Sequence, residues 1–171
     1  MIAPGGADTA VAPLTVRLAD YAYDADGRAI VALLDAYARD PMGGGAPLAE
    51  DVRARLPAAL DAVPGAFSLI AFDGYHPVGL ANCFTGFSTF AARPLVNIHD
   101  LVVLSGHRGK GIGAALMHAV EREARQRGAC KVTLEVLSGN APAKALYTAQ
   151  GYGSYALDPE AGSAQFWEKK L

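Results

Sequence analysis

The chain has 171 residues, of which 51% are hydrophobic and 19% charged, and its 15 basic and 17 acidic residues give a net charge of −2. This length suits one domain with a sizeable core, and the composition excludes a disordered chain. The near-neutral charge excludes the basic surface typical of nucleic-acid-binding proteins, so no nucleic-acid partner is expected.

The cysteines and the N-terminal residues predict a cytoplasmic protein with no membrane partner. Cys83 and Cys130 are far apart in apolar surroundings. They match neither a disulfide framework nor a metal site, and two buried thiols in a reducing compartment are expected. Residues 1–10 lack the basic and apolar regions of a signal peptide, and no run of about 18 apolar residues could span a membrane. Residues 1–12 are expected to be flexible.

The first half of the chain passes from a strand through two helices to further strands. Residues 14–19 alternate apolar and polar side chains, which predicts a strand. Apolar side chains at helical spacing predict a first helix that ends before Pro41 and a second helix that Pro57 should kink or break. Apolar and aromatic runs then predict three strands, the last of them central because it is mostly apolar: 66–72, 77–90 and 95–104.

The second half contains a strand–helix–strand unit. Apolar side chains recur every fourth residue from Ile112 to Ala124, and Gly128 follows at a position typical of a helix C-terminus. The remaining elements are a strand, a short helix and residues that could form a final hairpin: 131–137, 141–149, and 152–157 with 164–169. This order predicts a mixed α/β or α+β sheet domain.

A glycine-rich segment, S-G-H-R-G-K-G-I-G-A-A-L at 105–116, joins the central strand to the following helix. Glycines let the backbone turn sharply and let a ligand approach it closely. The unpaired N–H groups and the dipole at a helix start attract an anion, and neighbouring basic side chains add positive charge. Three glycines and two basic residues therefore predict a pyrophosphate cradle: Gly109, Gly111, Gly113, Arg108 and Lys110.

Other interpretations of this segment fit less well. A P-loop requires a lysine and a hydroxyl residue where Ile112 and Gly113 stand, and is excluded. A dinucleotide-binding fold requires a different glycine spacing and several more strand–helix units than the remaining residues allow, although Glu135 stands about where its acidic residue would be. A glycine-rich turn without a ligand stays open.

Two segments in the second half carry a family resemblance. R-G-K-G-I-G at 108–113 is similar to the R/Q-x-x-G-x-G/A motif of the GNAT superfamily of acetyl-CoA-dependent N-acetyltransferases, in which backbone amides bind the pyrophosphate of coenzyme A. N-A-P-A-K-A-L-Y-T-A-Q-G-Y at 140–152 resembles that family's second signature, N-x-x-A-x-x-L/F-Y-x-x-x-G-F/Y. The residues that match the second signature are Asn140, Ala143, Leu146, Tyr147, Gly151 and Tyr152. The resemblance covers residues 95–157 well, and the first 90 residues match in the order of elements only.

The resemblance implies one acetyltransferase domain over residues 1–171. Its fold would be a central mixed, largely antiparallel sheet of six to seven strands, with helices on both faces and a V-shaped splay between the fourth and fifth strands. Residues 13–94 would form the acceptor-side half, 95–157 the acetyl-CoA-binding half and 158–171 a C-terminal strand. The arm of the cofactor would enter the splay.

The resemblance also implies acetyl-CoA as co-substrate, no metal, and a primary amine of a small molecule or peptide as acceptor. Direct transfer in a ternary complex requires a neutral amine, donors for the developing oxyanion, an acid for the thiolate and close positioning of both substrates. No protein nucleophile is needed, and neither cysteine has a local signature of activation. The expected cofactor-binding residues are Leu101, Val102, Val103, Arg108, Gly109, Lys110, Gly111, Ile112, Gly113, Asn140, Ala143 and Tyr147.

Tyr147 and Asp100 are the candidate catalytic residues. By resemblance, Tyr147 would direct its hydroxyl at the thioester sulfur as general acid; the alternative is an aromatic residue on the buried face of a short helix. Asp100 is charged within an otherwise apolar strand, which favours either a general base or a carboxylate held by backbone or arginine contacts. His99 has the opposite strand parity and should face away. Glu135 is a second candidate base, and a base is dispensable if the amine arrives neutral.

The acceptor pocket is expected from residues 36–48, whose glycine-rich segment should be flexible, and from the strand at 77–90. Asp40 could attract an amine or simply end the first helix. Three phenylalanines could line a pocket or a homodimer interface, although packing in the core is their commonest role: Phe84, Phe87 and Phe90.

Two classes of function remain open at this stage. One is an active N-acetyltransferase. The other is a non-catalytic acyl-CoA-binding sensor or partner module on the same fold. The presence of both Asn140 and Tyr147 favours the enzyme.

Overall fold

The computed structural model describes residues 13–155, 158, 160, 162 and 164–171. One five-stranded sheet forms its centre, and the strands lie side by side in chain order. They are β1 (Leu14–Leu18), β2 (Ala66–Asp73), β3 (His76–Ser88), β4 (Arg93–Val103) and β5 (Val132–Leu134). The first four strands pair antiparallel and β5 pairs parallel to β4, so the expected mixed, largely antiparallel sheet is confirmed.

Helices cover both faces of this sheet. They are α1 (Asp24–Ala38), α2 (Glu50–Asp61), α3 (Ile112–Gln126) and α4 (Ala141–Ala149). The predicted break at Pro57 is wrong, because α2 continues through this residue. Two glycines with positive φ follow α3 and α4 and end them as expected: Gly128 at +71° and Gly151 at +83°.

The core consists of two clusters, one on each face of the sheet. Leu69 and Ile98 pack with Leu116 of α3. Ile70 and Leu80 pack with Ile30 of α1 on the opposite face. Neighbouring strand residues such as Leu69 and Ile70 join different clusters because successive side chains point to opposite faces. Each fully buried leucine or isoleucine stabilises the fold by roughly 1.5–3 kcal/mol.

An ion pair fixes α1 against the first strand. Arg17 donates two hydrogen bonds to the buried Asp26 carboxylate, at 2.6 and 2.7 Å, and the Asp20 N–H donates a third at 2.9 Å. The hydrogen bond from Arg17 outweighs burial and lowers the pKa of Asp26, so this carboxyl stays charged. The bidentate contact sets the direction in which α1 runs over the sheet.

The sheet has fewer strands than the six to seven expected. β5 comprises Val132–Leu134 rather than residues 131–137. The described residues of 152–171 include no strand, so the final hairpin and the C-terminal strand at 158–171 are not observed there. Phe166 and Trp167 are exposed and pack against no core. Residues 156, 157, 159, 161 and 163 lie outside the description, as do residues 1–12, where flexibility was expected.

Within the described ranges, no helix combines the length and apolar character needed to cross a membrane.

Candidate active site

The pairing of β4 with β5 ends partway along β4. Three residue pairs form the parallel ladder: Val96 with Val132, Asn97 with Thr133, and Ile98 with Leu134. β4 continues to Val103, and its last residues pair with β3 on one side only. The ladder between the two strands therefore ends at Ile98, where β5 itself ends, and the rest of β4 pairs with β3 alone, as the expected splay between the fourth and fifth strands requires. Leu101, Val102 and Val103 lie along its β4 wall.

A β-bulge lies in β4 where the splay opens. Asn82 pairs with Asp100 and Cys83 pairs with Ile98, so His99 is an extra residue in β4. A bulge changes the direction of the side chains around it. The His99 ring meets Phe84 edge-on, with ring centroids 5.5 Å apart. Phe84 packs on the α1 and α2 face of the sheet, so the prediction that His99 faces away from that side is wrong.

Asp100 lies on this same face and is half-buried. The side-chain amide of Asn82 donates a hydrogen bond of 3.0 Å to Oδ2 of Asp100. The carboxylate is thus held by a neutral amide rather than by the backbone or arginine contacts considered above. Glu135, the second candidate base, is exposed and accepts from the Asn97 amide at 3.2 and 3.3 Å, just beyond the last rung of the β4–β5 ladder.

The glycine loop leaves an open space at the start of α3. Gly109 and Gly111 have φ values of +76° and +80°, which few side-chain-bearing residues adopt. A Cβ atom at either position would meet nothing within 4 Å. Gly111 is the N-cap of α3, and no side chain caps the helix. The first-turn N–H groups and the positive end of the helix dipole are therefore available to an anion, which suits the pyrophosphate of coenzyme A.

The two family motifs contact each other through Gly113. A Cβ atom on Gly113 would stand 2.8 Å from a methyl carbon of Leu146 in α4. The absence of a side chain therefore lets the start of α3 approach α4 closely. This contact fixes the distance between the glycine loop and Tyr147, which follows Leu146.

The second motif forms α4 and its N-terminal cap. Oδ1 of Asn140 accepts a hydrogen bond of 3.2 Å from the Ala143 N–H. Asn140 therefore caps the helix and retains its NH2 group as a donor. Tyr147 is half-buried in the middle of α4, and burial, with a smaller contribution from Tyr37, raises its pKa. Its hydroxyl stays protonated at neutral pH, as a proton donor must.

Tyr37 is a further residue of the candidate site. The sequence analysis had assigned it only to the apolar face of the first helix. It lies in the last turn of α1, half-buried. Burial raises its pKa, and the charges of Asp100 and Asp40 raise it further. Tyr37 in turn raises the pKa of Tyr147, so Tyr37 of α1 interacts electrostatically with Asp100 of β4 and with Tyr147 of α4. Helical spacing alone does not predict that Tyr37 interacts with Asp100 and Tyr147.

An ion pair joins the acceptor-side loop to the glycine loop. Arg108 donates to Oδ2 of Asp40 at 2.9 Å and to the carbonyl of Val103 at 3.0 Å. Oδ1 of Asp40 accepts from the Met42 N–H at 2.9 Å. These two hydrogen bonds lower the pKa of Asp40, the one from Met42 contributing most. Asp40 thus connects the two loops, a role that neither sequence interpretation included.

The glycine-rich segment after α1 forms a turn with backbone hydrogen bonds. The N–H groups of Gly43 and Gly45 donate to the carbonyl of Asp40 at 2.8 and 3.1 Å. Of the three phenylalanines, Phe84 is half-buried, whereas Phe87 and Phe90 are exposed at the β3–β4 turn. Packing in the core is therefore not the role of the last two.

Neither cysteine resembles an activated nucleophile. Cys83 is buried, and burial, with a contribution from the charge of Asp100, raises the pKa of its thiol to about 12. Cys130 is half-buried rather than buried. Within the described part of the chain, no three His, Cys, Asp or Glu side chains come together as metal ligands would.

Known proteins are similar to this chain in sequence and in fold. A sequence profile of the acetyltransferase (GNAT) family matches residues 27–152. The streptothricin acetyltransferase of Streptomyces lavendulae is 43% identical over 75 residues, which are 44% of this chain and 40% of that protein. The chain thus spans less than half the length of that relative. The profile match covers most of the chain, and the protein belongs to the acetyltransferase (GNAT) family, a family of acyltransferases.

Solved structures share the fold. A transcriptional regulator from Bacillus halodurans superposes with a TM-score of 0.74 at 20% identity, over 93% of this chain and 100% of that chain. An aminoglycoside acetyltransferase from an uncultured soil metagenomic sample, in complex with sisomicin, gives a TM-score of 0.73 at 14% identity, over 92% of this chain and 97% of that chain. At these identities the likeness is one of fold.

Proposed function

We propose that this protein is an N-acetyltransferase that transfers the acetyl group of acetyl-CoA to a primary amine by direct attack in a ternary complex. The observation that carries the proposal is the β4–β5 splay with an uncapped, glycine-lined helix start at the loop that follows β4. Acetyl-CoA supplies the activated acyl carbon that the amine attacks. One domain over residues 1–171 carries both substrate sites.

Residues of the second half hold the cofactor in this proposal. Backbone N–H groups of the loop and the first turn of α3 bind the pyrophosphate, in the segment from Arg108 to Gly113, and Lys110 adds positive charge. Leu101, Val102 and Val103 line the splay beside the pantetheine arm and the acetyl group. The NH2 group of Asn140 donates to that arm, and Ala143 lies beside it in the first turn of α4.

Asp100 and Tyr147 divide the proton transfers. Asp100 accepts the proton of the amine, directly or through water, since an ammonium group has no lone pair with which to attack. Tyr147 donates a proton to the leaving thiolate, which its raised pKa supports by keeping the hydroxyl protonated. Tyr37 interacts electrostatically with both groups, because the charge of Asp100 raises the pKa of Tyr37 and Tyr37 raises the pKa of Tyr147.

The acceptor is a small-molecule or peptide amine. The matched relative is named for acetylating streptothricin and one structural neighbour was solved with sisomicin, which favours a polar small molecule. Cys83 and Cys130 as free thiols support a cytoplasmic location. Exposed Phe87 and Phe90 support a homodimer.

Asp100→Asn should lower kcat/KM most at acidic pH. A primary aliphatic amine has a pKa of about 10, so only about one molecule in a thousand is neutral at pH 7. Desolvation in the cleft favours the neutral form, and Asp100 removes the proton from the rest. We expect kcat/KM of the parent to climb from about pH 6 to about pH 9. The variant should fall furthest below the parent at the acidic end, where neutral amine is scarcest.

The full pH profiles of kcat/KM for parent and variant measure this effect, with thermal melts alongside. Asp24→Asn is the matched control, because it makes the same change on an exposed side chain at the start of α1. If the Asp100→Asn and parent profiles superimpose, Asp100 is structural and the base is water, Glu135 or absent.

A further inference from the structure

A chain of side-chain hydrogen bonds crosses the sheet and ends at Asp100. The hydroxyls of Tyr21 and Ser68 lie 2.9 Å apart. Ser68 donates to Oδ1 of Asn82 at 2.6 Å, and Nδ2 of Asn82 donates to Oδ2 of Asp100 at 3.0 Å. This series of hydrogen bonds therefore runs from the loop after β1 across β2 and β3 to β4.

The two middle members are buried among apolar side chains. Ser68 is 1% exposed and Asn82 is 2% exposed. Leu80 and Cys83, near Asn82 on β3, are buried as well. Burying a hydroxyl and an amide costs free energy unless their hydrogen bonds are made, and here each finds a partner on either side. Two apolar side chains would pack at these positions without the free-energy cost of burying polar groups. The polar pair therefore points to a role for Asp100, where the series of hydrogen bonds ends.

The direction of each hydrogen bond follows from the number of protons available. Ser68 has one hydroxyl proton and donates it to Asn82, so it accepts from Tyr21. Burial raises the pKa of Tyr21, so its phenol stays protonated and can donate. With its carbonyl occupied by Ser68, the amide of Asn82 must turn its NH2 group to Asp100. An NH2 group only donates, so Oδ2 of Asp100 takes part in this hydrogen bond as the acceptor.

We propose that Asn82 is a positioning residue, oriented by Ser68 and Tyr21, that holds Asp100 as a carboxylate with Oδ2 occupied and Oδ1 left to accept the proton of the amine. The step moves one proton from the ammonium nitrogen to Oδ1, and the nitrogen keeps its electron pair for attack on the acyl carbon. This inference rests on the proposed role of Asp100 as base.

Other titratable groups interact with Asp100 from the elements packed against it. The charge of Asp100 raises the pKa of Tyr37 of α1 on this face, and Tyr37 in turn raises the pKa of Tyr147 of α4. The charge of Asp100 also raises the pKa of Cys83 of β3, whose side chain packs on the opposite face of the sheet. Burial raises the pKa of all three, so they stay protonated through neutral pH. His99 shares the strand and the face, and an imidazole can change charge in the range of the experiment. The test is therefore repeated in a His99→Gln background.

The test compares parent, Asn82→Leu and Ser68→Ala by two measurements. Carbon-13 NMR of the Asp100 carboxyl, followed against pH without substrates, reports its protonation directly, and the pH profile of kcat/KM reports its use. Losing one hydrogen bond to a charged group should move the NMR midpoint and the acidic limb of the profile to higher pH by about one unit in Asn82→Leu. Ser68→Ala frees the amide to rotate and should give a smaller shift in the same direction.

Ser68→Thr keeps the hydroxyl and should have the same NMR midpoint as the parent. If Asn82→Leu does not fold, the comparison of Ser68→Ala with Ser68→Thr still tests the proposal. The shift should persist in the His99→Gln background. An NMR midpoint equal to that of the parent in Asn82→Leu and Ser68→Ala overturns the proposal. If the NMR midpoint of Asp100 shifts but the acidic limb of the kcat/KM profile does not, Asn82 orients the carboxylate and Asp100 is not the base. Failure of this inference and failure of the proposed role of Asp100 are therefore distinguishable.

Discussion

Tyr147→Phe should lower kcat for amine acetylation by about 10²-fold or more and leave the affinity for acetyl-CoA nearly unchanged. The substitution removes the proposed proton donor and keeps the ring that packs in α4. An interaction made only in the transition state affects kcat without affecting ground-state binding. Steady-state kinetics with saturating amine, together with calorimetric titration of acetyl-CoA, measure the two quantities.

The pH dependence adds a second expectation for the parent. A general acid acts only while protonated, so its contribution is lost as pH rises through its pKa. Burial raises the pKa of Tyr147, so this loss should lie above the ordinary tyrosine value of about 10. The parent should therefore show no basic limb from Tyr147 between neutral pH and about pH 10.

Tyr152→Phe is the matched control for Tyr147→Phe. The two rings are neighbours, with centroids 6.5 Å apart, and the buried hydroxyl of Tyr152 has no hydrogen-bond partner among the described residues. Its removal should therefore leave kcat close to that of the parent. If single-turnover experiments show that chemistry limits the rate and kcat of Tyr147→Phe is unchanged, Tyr147 is a packing residue.

Gly111→Val should weaken acetyl-CoA binding by on the order of 10²-fold or more, which corresponds to about 2.7 kcal/mol. The branched side chain would occupy the open space beside the N–H groups at the start of α3, where the pyrophosphate must contact backbone. The left-handed backbone at this position also strains any residue with a Cβ, by roughly 1–2 kcal/mol. Calorimetry gives the affinity and thermal melts give the loss of stability.

Gly128→Val separates the strain from the loss of the binding site. Gly128 has a φ of +71° at the other end of α3, and a Cβ there would also meet nothing within 4 Å. Both variants should lower Tm by similar amounts, and only Gly111→Val should lose affinity. A Gly111→Val protein that binds acetyl-CoA as well as the parent would show that the cradle lies elsewhere.

Local patterns in the sequence predict the elements that depend on local physics. The apolar repeat from Ile112 to Ala124 and the following Gly128 predict α3, because helix periodicity and the left-handed glycine cap are encoded within a few turns. Residues 141–149 form α4 as expected, for the same reason. The splay was implied by family resemblance, and the short β4–β5 ladder agrees with it.

Features that depend on pairing between strands are not visible in the local pattern. The parity rule places His99 opposite to Asp100, but the bulge opposite Asn82 and Cys83 adds a residue to β4 and overrides the rule. Residues 152–157 and 164–169 were expected to form a hairpin, yet Phe166 and Trp167 are exposed and pack against no core. An apolar segment forms a strand only where a partner strand and a core are available.

Contacts between distant parts of the chain account for the rest of the site. Asp40 meets Arg108 across 68 residues of sequence, and Ser68 meets Asn82 and then Asp100 across three strands. The identity of a single residue does not predict which distant residue it will contact. The sequence therefore predicted which residues are chemically able to act, while the structure adds the side chains that orient them.

Amine-dependent release of the free CoA thiol from acetyl-CoA tests the proposed activity most directly. The panel should contain streptothricin, sisomicin, simple alkyl amines, polyamines and short peptides with free N-termini, with acetyl-CoA binding measured by calorimetry on the same preparation. The proposed function predicts thiol release that depends on at least one amine and that falls in Tyr147→Phe. Calorimetric binding of acetyl-CoA with no amine-dependent release across the panel would contradict it and would instead indicate a non-catalytic acyl-CoA-binding module.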